Sequence, residues 1–329
     1  MAEQAPLVDR VFTDVWRIRL PLPFRLREIN LYLIEDGADF ALFDCGIDTP
    51  AARQVFDDAL RGLGVAPERI TRVFASHMHP DHIGMAGRHA RSGARVFLMP
   101  EEERRTRYVW SDRPLSGWSA YFARHGLPGP AASDVVEATE RLRPAVSLPE
   151  SFDYVRDHEF VRIGARTMRV AWAPGHSDFL YLLIDDDRGV VFASDQLLPS
   201  ITPNIGLYAE CRPNPLRDYL WSLGRFEREQ GYRILPAHGE PYATLSTRIA
   251  ELRSHHAERL RGVEEAVRTA GPSGATAHEI VQRFWPDGLS PHELRFAMVE
   301  VIAHAAYLNE LGKLRAVERD RSIRYVSGG

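Results

Sequence analysis

Cysteine and lysine are nearly missing from this sequence. The two cysteines, Cys45 and Cys211, lie far apart and form no C-x-x-C pair. That excludes a disulfide framework and fits a reducing interior, so a cytoplasmic protein is expected. Lysine occurs once, at Lys313, a bias read as coding rather than function. An excess of positive charge is also absent. The 41 Lys and Arg residues face 45 Asp and Glu, a net charge of −4, so no overall basic field draws the chain to nucleic acid or an anionic membrane. No run of about 18 apolar residues is present, which excludes a membrane-spanning helix. The opening residues, MAEQAPLVDRV, lack the basic start and apolar stretch of a secretory signal. No internal repeat or low-complexity tract interrupts the chain.

What remains is ordinary globular material. With 329 residues, 44% hydrophobic and 26% charged, the chain is long enough for one large domain or two. Trp16 to Leu22 alternates as a strand does, and Asn30 to Ile34 and Phe40 to Asp44 flank an Asp36-Gly37 turn. Thr49 and Pro50 open a helix whose apolar face is Val55, Phe56 and Leu60. Apolar runs at 70–75, 94–99, 160–163, 168–173, 179–184, 190–193 and 232–235 predict further strands, and 215–229 reads as helix. Residues 101–155 break this rhythm, mixing charges, prolines and aromatics, and read as a partly helical insertion. After about residue 245 the period is helical. Ile249, Leu252, Leu260, Val263 and Val267 predict one long amphipathic helix. Capping boxes at Thr276/Glu279 and Ser290/Glu293 open two more, and Leu314 to Val326 reads as a hairpin turning at Asp320-Arg321.

One stretch carries chemistry. SHMHPDHIG, residues 76–84, places His77, His79, Asp81 and His82 in six positions directly after an apolar strand. Histidine and carboxylate suit zinc and related divalent ions, and four such residues on one tight loop are hard to reach by chance. Three more strand ends deliver matching residues: Pro174-Gly175-His176-Ser177, Ser194-Asp195, and Pro236-Ala237-His238-Gly239. Loops at the ends of rigid strands are where sites are built.

These segments together resemble the metallo-β-lactamase superfamily. SHMHPDH is similar to its HxHxDH motif, PGHS to its third-ligand segment, SDQ to its bridging aspartate and AHG to its last histidine, in the family's order. NLYLIEDGADFALFDCGID is similar to its opening hairpin. The resemblance spans roughly residues 15–245 and implies an αββα sandwich with metals at one edge. It also implies two divalent metal ions per chain, zinc foremost, with iron or manganese as alternatives. His77, His79 and His176 would hold one ion, Asp81, His82 and His238 the other, and Asp195 would bridge them. Asp81 would also orient the nucleophile as the catalytic residue, and Asp44 would brace the loops. An aspartate at the bridging position argues against the antibiotic-degrading branch, where a cysteine takes a metal position. Cys211 is read as an inert thiol. Histidines 89, 125, 158, 255, 256, 278, 292 and 304 have no ligand spacing and read as surface or packing groups.

The expected architecture is a catalytic domain, 1–245, with its insertion at about 101–155, and a small, mainly helical C-terminal domain, 246–329. The latter resembles the winged-helix-like tail of one branch of the superfamily, whose members include an endoribonuclease. Its 12 basic and 11 acidic residues show no basic face, so packing, dimerisation or walling of the active site is favoured over specific DNA binding. The leading function is a dinuclear hydrolase of a small-molecule ester, thioester or lactone. The alternatives are an endoribonuclease or phosphodiesterase using the same metals, a mononuclear iron oxygenase acting on a thiol derivative, and a regulator with a decayed enzyme domain. Tyr108, Trp110 and Trp118 of the insertion are the candidate substrate contacts.

Overall fold

The computed structural model of the protein describes residues 7–328. Residues 1–6, on which the reading of the N-terminus partly rests, and residue 329 lie outside the described residues. The chain opens with strands β1 (Val8–Phe12), β2 (Val15–Pro21), β3 (Glu28–Asp36) and β4 (Asp39–Phe43). Helix α1 (Pro50–Leu63) leads to β5 (Ile70–Phe74), the short helices α2 (Pro80–Ile83) and α3 (Ala86–Arg91), and β6 (Arg95–Leu98). The insertion supplies α4 (Pro100–Trp110), α5 (Ser116–Arg124) and α6 (Gly129–Glu140) before β7 (Asp153–Tyr154). Strands β8 (Phe160–Ile163), β9 (Arg166–Trp172), β10 (Tyr181–Asp185) and β11 (Val190–Ser194) follow, then α7 (Pro215–Arg225) and β12 (Arg233–Pro236). The C-terminal part is α8 (Leu245–Thr269), α9 (Ala277–Phe284), α10 (Pro291–Glu310) and the hairpin β13 (Leu314–Arg319)–β14 (Ser322–Ser327).

Strands β1 to β7 form one sheet in sequential order, and β12-β11-β10-β9-β8 form a second. Both faces of each sheet are covered, which is why the central strands read as unbroken apolar runs rather than alternating ones. In β3, Tyr32 and Ile34 point between the sheets, against Phe192 and Leu183, while Leu31 and Leu33 point outward to the layer of α1. In β10, Tyr181 and Leu183 face inward, and Leu182 and Ile184 face the layer of α7 and α8. The result is the expected αββα sandwich.

Local signals hold where they were strongest. Thr49 Oγ1 accepts from Ala52 N at 3.2 Å. Both C-terminal capping boxes are closed in both directions. Asp320 and Arg321 each have positive φ, as a tight hairpin turn demands. Strand β1 has no counterpart in the sequence reading; its residues are only half-buried, so no apolar pattern marks it.

Sheet topology decides where the functional loops go. β4 and β5 run parallel, as do β11 and β12. β9 and β11 each pair antiparallel with β10 and so share a direction. The C-terminal ends of β4 and β5 in one sheet, and of β9, β11 and β12 in the other, thus carry Asp44, the 76–82 loop, His176, Asp195 and His238.

The insertion and the C-terminal segment meet in one core. Val109, Trp118, Phe122 and Val135 of the insertion cluster with Val263, Val267, Met298 and Ile302 of α8 and α10. Helix α8 belongs to two cores at once. Leu245, Ile249 and Leu252 pack under the second sheet, and Val263, Ala266 and Val267 pack with the insertion. No helix among the described residues is long and apolar enough to cross a membrane.

A shared core makes a specific prediction. Phe122, fully buried in α5, should cost about 3–5 kcal/mol of stability on replacement by alanine. Amide hydrogen exchange should quicken in α10 as well as in α5 and α6. A response confined to the insertion would mean that the two segments open independently.

Candidate metal centre

Seven side chains converge at the sheet edge, in two groups. His77, His79, His176 and Asp195 offer ligand-type atoms lying within 4.8 Å of one another, and so do Asp81, His82 and His238. All seven residues named from the sequence are brought together. Asp195 reaches both groups. Its Oδ2 lies 3.2 Å from His176 Nε2 and 3.5 Å from His82 Nε2, and its Oδ1 lies 3.3 Å from His238 Nε2. Asp81 Oδ2 lies 3.4 Å from His238 Nε2 and 3.7 Å from His82 Nε2.

The local backbone explains the aim of these groups. After β5 the chain turns through His77 and His79 into the single helical turn α2, which carries Asp81 and His82. Ser194 has φ of 46° at a register shift between β11 and β12, a kink that re-aims the next residue, Asp195. Gly175 has φ of 133°, and a Cβ there would lie 2.4 Å from Tyr219 Cβ, so the turn that presents His176 admits only glycine. Asp44, with φ of 57°, ties the two sheets together. Its Oδ1 accepts from Ser76 N at 2.8 Å, and its Oδ2 accepts from Ser194 Oγ at 3.2 Å and faces His82 Nδ1 at 2.8 Å. Two non-glycine residues in the left-handed region at one site represent stored strain.

The imidazoles are held from behind. His176 Nδ1 donates to Asn204 O at 2.9 Å and His238 Nδ1 to Glu28 O at 2.6 Å. A carbonyl carries no proton, so these bonds place a hydrogen on Nδ1 and turn each Nε2 inward as the atom that can bind a metal once it carries no proton. Asp44 does the same for His82. The inward atoms His82 Nε2, His238 Nε2 and Asp195 Oδ1 are buried with no hydrogen-bond partner. His79 Nδ1 lies 2.8 Å from both His77 Nε2 and His176 Nε2, and one proton cannot serve both contacts at full strength. Orphaned polar atoms crowded in a buried space are costly, and a bound divalent cation would satisfy them. The residues fit a metal.

Charge is divided unevenly between the groups. Burial pushes His77 and His79 well below the ordinary histidine range, and neighbouring imidazoles push the same way. Burial also opposes a proton on His82, but the carboxylates of Asp44, Asp195 and Asp81 hold it well above that range. His238 is likewise penalised by burial yet raised to about 10 by Asp195 and Asp81. Asp195 stays well below the usual carboxylate range because His82 and His238 outweigh its burial.

A cavity of about 410 Å³ opens over the cluster, with His79, Asp81, His176, Asp195 and His238 in its lining. Trp110 and Trp118 of the insertion, Phe24 of the β2–β3 loop, and His292 and Phe296 of α10 line it too. Two expectations change here. Tyr108 does not line the cavity; it lies one and two positions along α4 from Val109 and Trp110, which do, and its hydroxyl sits beside Gly117. His292, read as a packing group, lies in the cavity wall. Cys211 behaves as read, burial pushing its thiol up to about 12.

Sequence reasoning missed Glu102. This fully buried carboxylate on α4 accepts from Met78 N and Phe179 N, each at 3.1 Å, and from Ser177 Oγ. It clamps the loops of His77/His79 and His176 to each other. Burial raises its pKa, though Ser177 and Arg105 counter this. It stands in the charge run Glu101-Glu102-Glu103, where nothing distinguishes it from a solvated neighbour. Asn204, whose carbonyl orients His176, was missed for the same reason: the signal is carried by backbone.

Comparison with known proteins agrees with the geometry. A family model described as the metallo-beta-lactamase superfamily matches residues 25–271, and one described as the metallo-beta-lactamase-like C-terminal domain matches residues 260–328. The chain belongs to the metallo-β-lactamase superfamily. It is an enzyme, a hydrolase of that superfamily. It is 25% identical over 298 residues to the "Probable metallo-hydrolase YqjP" of Bacillus subtilis (88% of this chain, 91% of the relative). It is 23% identical over 319 residues to the "Atrochrysone carboxyl ACP thioesterase" of Aspergillus chevalieri (92% and 83%). Its structure resembles that of a metallo-beta-lactamase family protein from Thermus thermophilus, with TM-score 0.87, 31% identity, and coverage of 97% and 100%. A beta-lactamase domain protein from Burkholderia ambifaria gives TM-score 0.87 and 32% identity, with coverage of 99% and 97%.

The uneven protonation predicts how metal enters. An ion taken up by Asp81, His82 and His238 must displace the proton that His238 holds below a pH of about 10 and the one held on His82 by its three carboxylates, whereas His77 and His79 are already neutral at pH 7. Affinity at the first of these groups should fall about tenfold per pH unit for each proton displaced. Calorimetry of metal-free protein in two buffers of different ionisation heat should show one buffer-dependent binding step and one nearly independent of buffer.

Proposed function

We propose that the chain is a dinuclear metal-dependent hydrolase of an ester, thioester or lactone whose acyl part has an apolar body. The observation that carries this reading is the pair of ligand groups sharing Asp195 beneath an apolar cavity. On this reading His77, His79 and His176 hold one ion, Asp81, His82 and His238 the second, and Asp195 both. The histidine-rich, oxygen-completed set suits zinc. A pair of divalent ions so held would supply a water activated near neutral pH and a Lewis acid for the carbonyl oxygen of the substrate.

The protein's own groups do the rest. Asp81, in the cavity lining, orients the attacking water and takes its proton. As the C–S or C–O bond of the tetrahedral adduct breaks, that proton passes to the departing thiolate or alkoxide. Asp44, Asn204 and Glu102 keep the imidazoles and their loops in place. The aromatic walls exclude water and read the acyl group. The named thioesterase among the relatives supports an acyl substrate, and the apolar lining weighs for an acyl body over a nucleic-acid backbone. Helices α8 to α10 with the β13–β14 hairpin are read as a winged-helix-like unit serving as a wall of the active site.

Protein purified without added metal should contain two ions per chain by elemental analysis. A single iron per chain with oxygen consumption would overturn the hydrolase reading. Asp195→Ala should lose metal from both groups and lose more activity than the roughly 10- to 100-fold typical of a supporting residue. The activity screen should compare thioesters, lactones, phosphodiesters and RNA, with turnover expected on acyl substrates.

Wall residues should control selectivity rather than metal content. Trp110→Ala should raise KM or shift acyl preference about tenfold, the worth of a methylene or two of pocket contact. Because the Trp110 indole N–H also donates to Met78 O at 2.7 Å, metal content must be measured alongside. A loss of metal without a change in preference would assign Trp110 to loop support.

A further inference from the structure

The charges lining the cavity pair off, except one. Arg25 faces Glu293 at 3.3 Å. Asp81 and Asp195 face the imidazoles of the cluster. Arg105 meets Glu210 at 3.4 Å, with its guanidinium 4.8 Å from the centre of the Tyr208 ring. Arg295, on α10, meets no carboxylate within 4.0 Å among the described residues. It is only 8% exposed, one of its N–H groups donates to Tyr208 Oη at 2.7 Å, and its Nε is buried without any partner.

A guanidinium cannot shed its proton to escape burial, as a lysine or histidine can. Keeping one out of water without a counter-charge is destabilising. The Phe296 ring, 4.2 Å away, offsets part of that cost, since a ring face attracts a cation, but it leaves N–H donors unspent. Tyr208 fixes the group in place, and Trp118 stacks obliquely on Tyr208 with centroids 4.7 Å apart. The cation is thus built into a rigid aromatic wall of the cavity that holds the metal-type cluster.

We propose that Arg295 binds a carboxylate carried by the substrate at the end remote from the bond that breaks, across an apolar or aromatic spacer lying along Trp118, Tyr208 and Phe296. The fork of a guanidinium matches a carboxylate at two points, and an apolar cavity strengthens that pairing. This names the substrate class within the hydrolase reading: esters or thioesters of acids bearing a second, free carboxyl group. It also gives the C-terminal segment a recognition role.

The test uses the full-length, metal-loaded enzyme with 4-phenylbutyrate and its neutral amide as probes in equilibrium calorimetry. Wild-type protein should bind the acid at least about tenfold more tightly than the amide, the usual worth of a charge-assisted hydrogen bond. R295M should abolish the difference, while its melting temperature stays level or rises, because an unmatched buried charge has been removed. If R295M binds the acid as wild type does, the acid is held elsewhere, the metals included, and the proposal fails. It fails equally if R295M melts lower with an unchanged acid-to-amide ratio. Should R295M not fold, R295K keeps the charge but loses the fork, and its ratio should still drop several-fold. In a second arm, the kcat/KM ratio for thioesters with a free or a methylated distal carboxyl should fall about tenfold in R295M. Hydrolysis of both without discrimination by wild type overturns the Arg295 assignment. No hydrolysis of either, with the binding difference intact, overturns the hydrolase reading and leaves Arg295 standing.

Discussion

Imidazoles and carboxylates are crowded together at the meeting edge of two sheets, and several are pinned on the side away from their neighbours. This is the constraint on which the rest of the structure depends. Imidazole nitrogens and carboxylate oxygens lie within about hydrogen-bonding range of one another in a nearly dry space, and would turn outward to water if they could. They cannot, because His176 is tethered to Asn204, His238 to Glu28 and His82 to Asp44. Asp44 itself is locked by Ser76 and Ser194. The strained backbone at Asp44 and Ser194 is tolerated because the surrounding sheets over-determine it. A site prepared in this way loses little order when an ion arrives, which favours binding.

The sequence exposed some of this and hid the rest, for physical reasons. The strands were legible because those buried on both faces leave continuous apolar runs, as in Leu31 to Ile34 and Leu180 to Ile184, and the sandwich they form was implied by the family resemblance. The helix starts were legible because a cap is a local transaction between residues three apart. The seven clustered side chains could be named because each follows a strand end in a recognisable order. Glu102 was not legible, since its importance comes from backbone N–H groups of two distant loops. Nor was Asn204, which acts through its main chain. Tyr108 was grouped with Trp110 because they are close in sequence; two steps of about 100° along the helix place it on a different face from Trp110.

The partition of the chain also looks different in three dimensions. In sequence the insertion and the C-terminal segment are separated by the whole second sheet. In the fold they share a core, and α8 runs as one 25-residue helix through that core and the one beneath the sheet. A helix embedded at both ends resists bending, since its own hydrogen bonds and two sets of packed side chains would have to yield together. The cavity wall is therefore rigidly fixed relative to the metal-type cluster, and Tyr208, Trp118 and Arg295 keep their spacing from it.

This arrangement separates two kinds of inheritance. The cluster is assembled from strand ends of the sandwich, where one altered residue disturbs both sheets. The wall is assembled from α4 to α6 and α10, and it meets the cluster's loops through Glu102 and Trp110 of α4 and through Phe296 O of α10, which accepts from Asn204 Nδ2. Substitutions at wall positions that do not hold those loops, such as Trp118 and Arg295, leave the reaction centre's supports intact, so a lineage can exchange one substrate for another by rewriting them while the bond-breaking apparatus passes down unchanged. The coexistence of hydrolases with different acceptors on one sandwich follows from that division of labour.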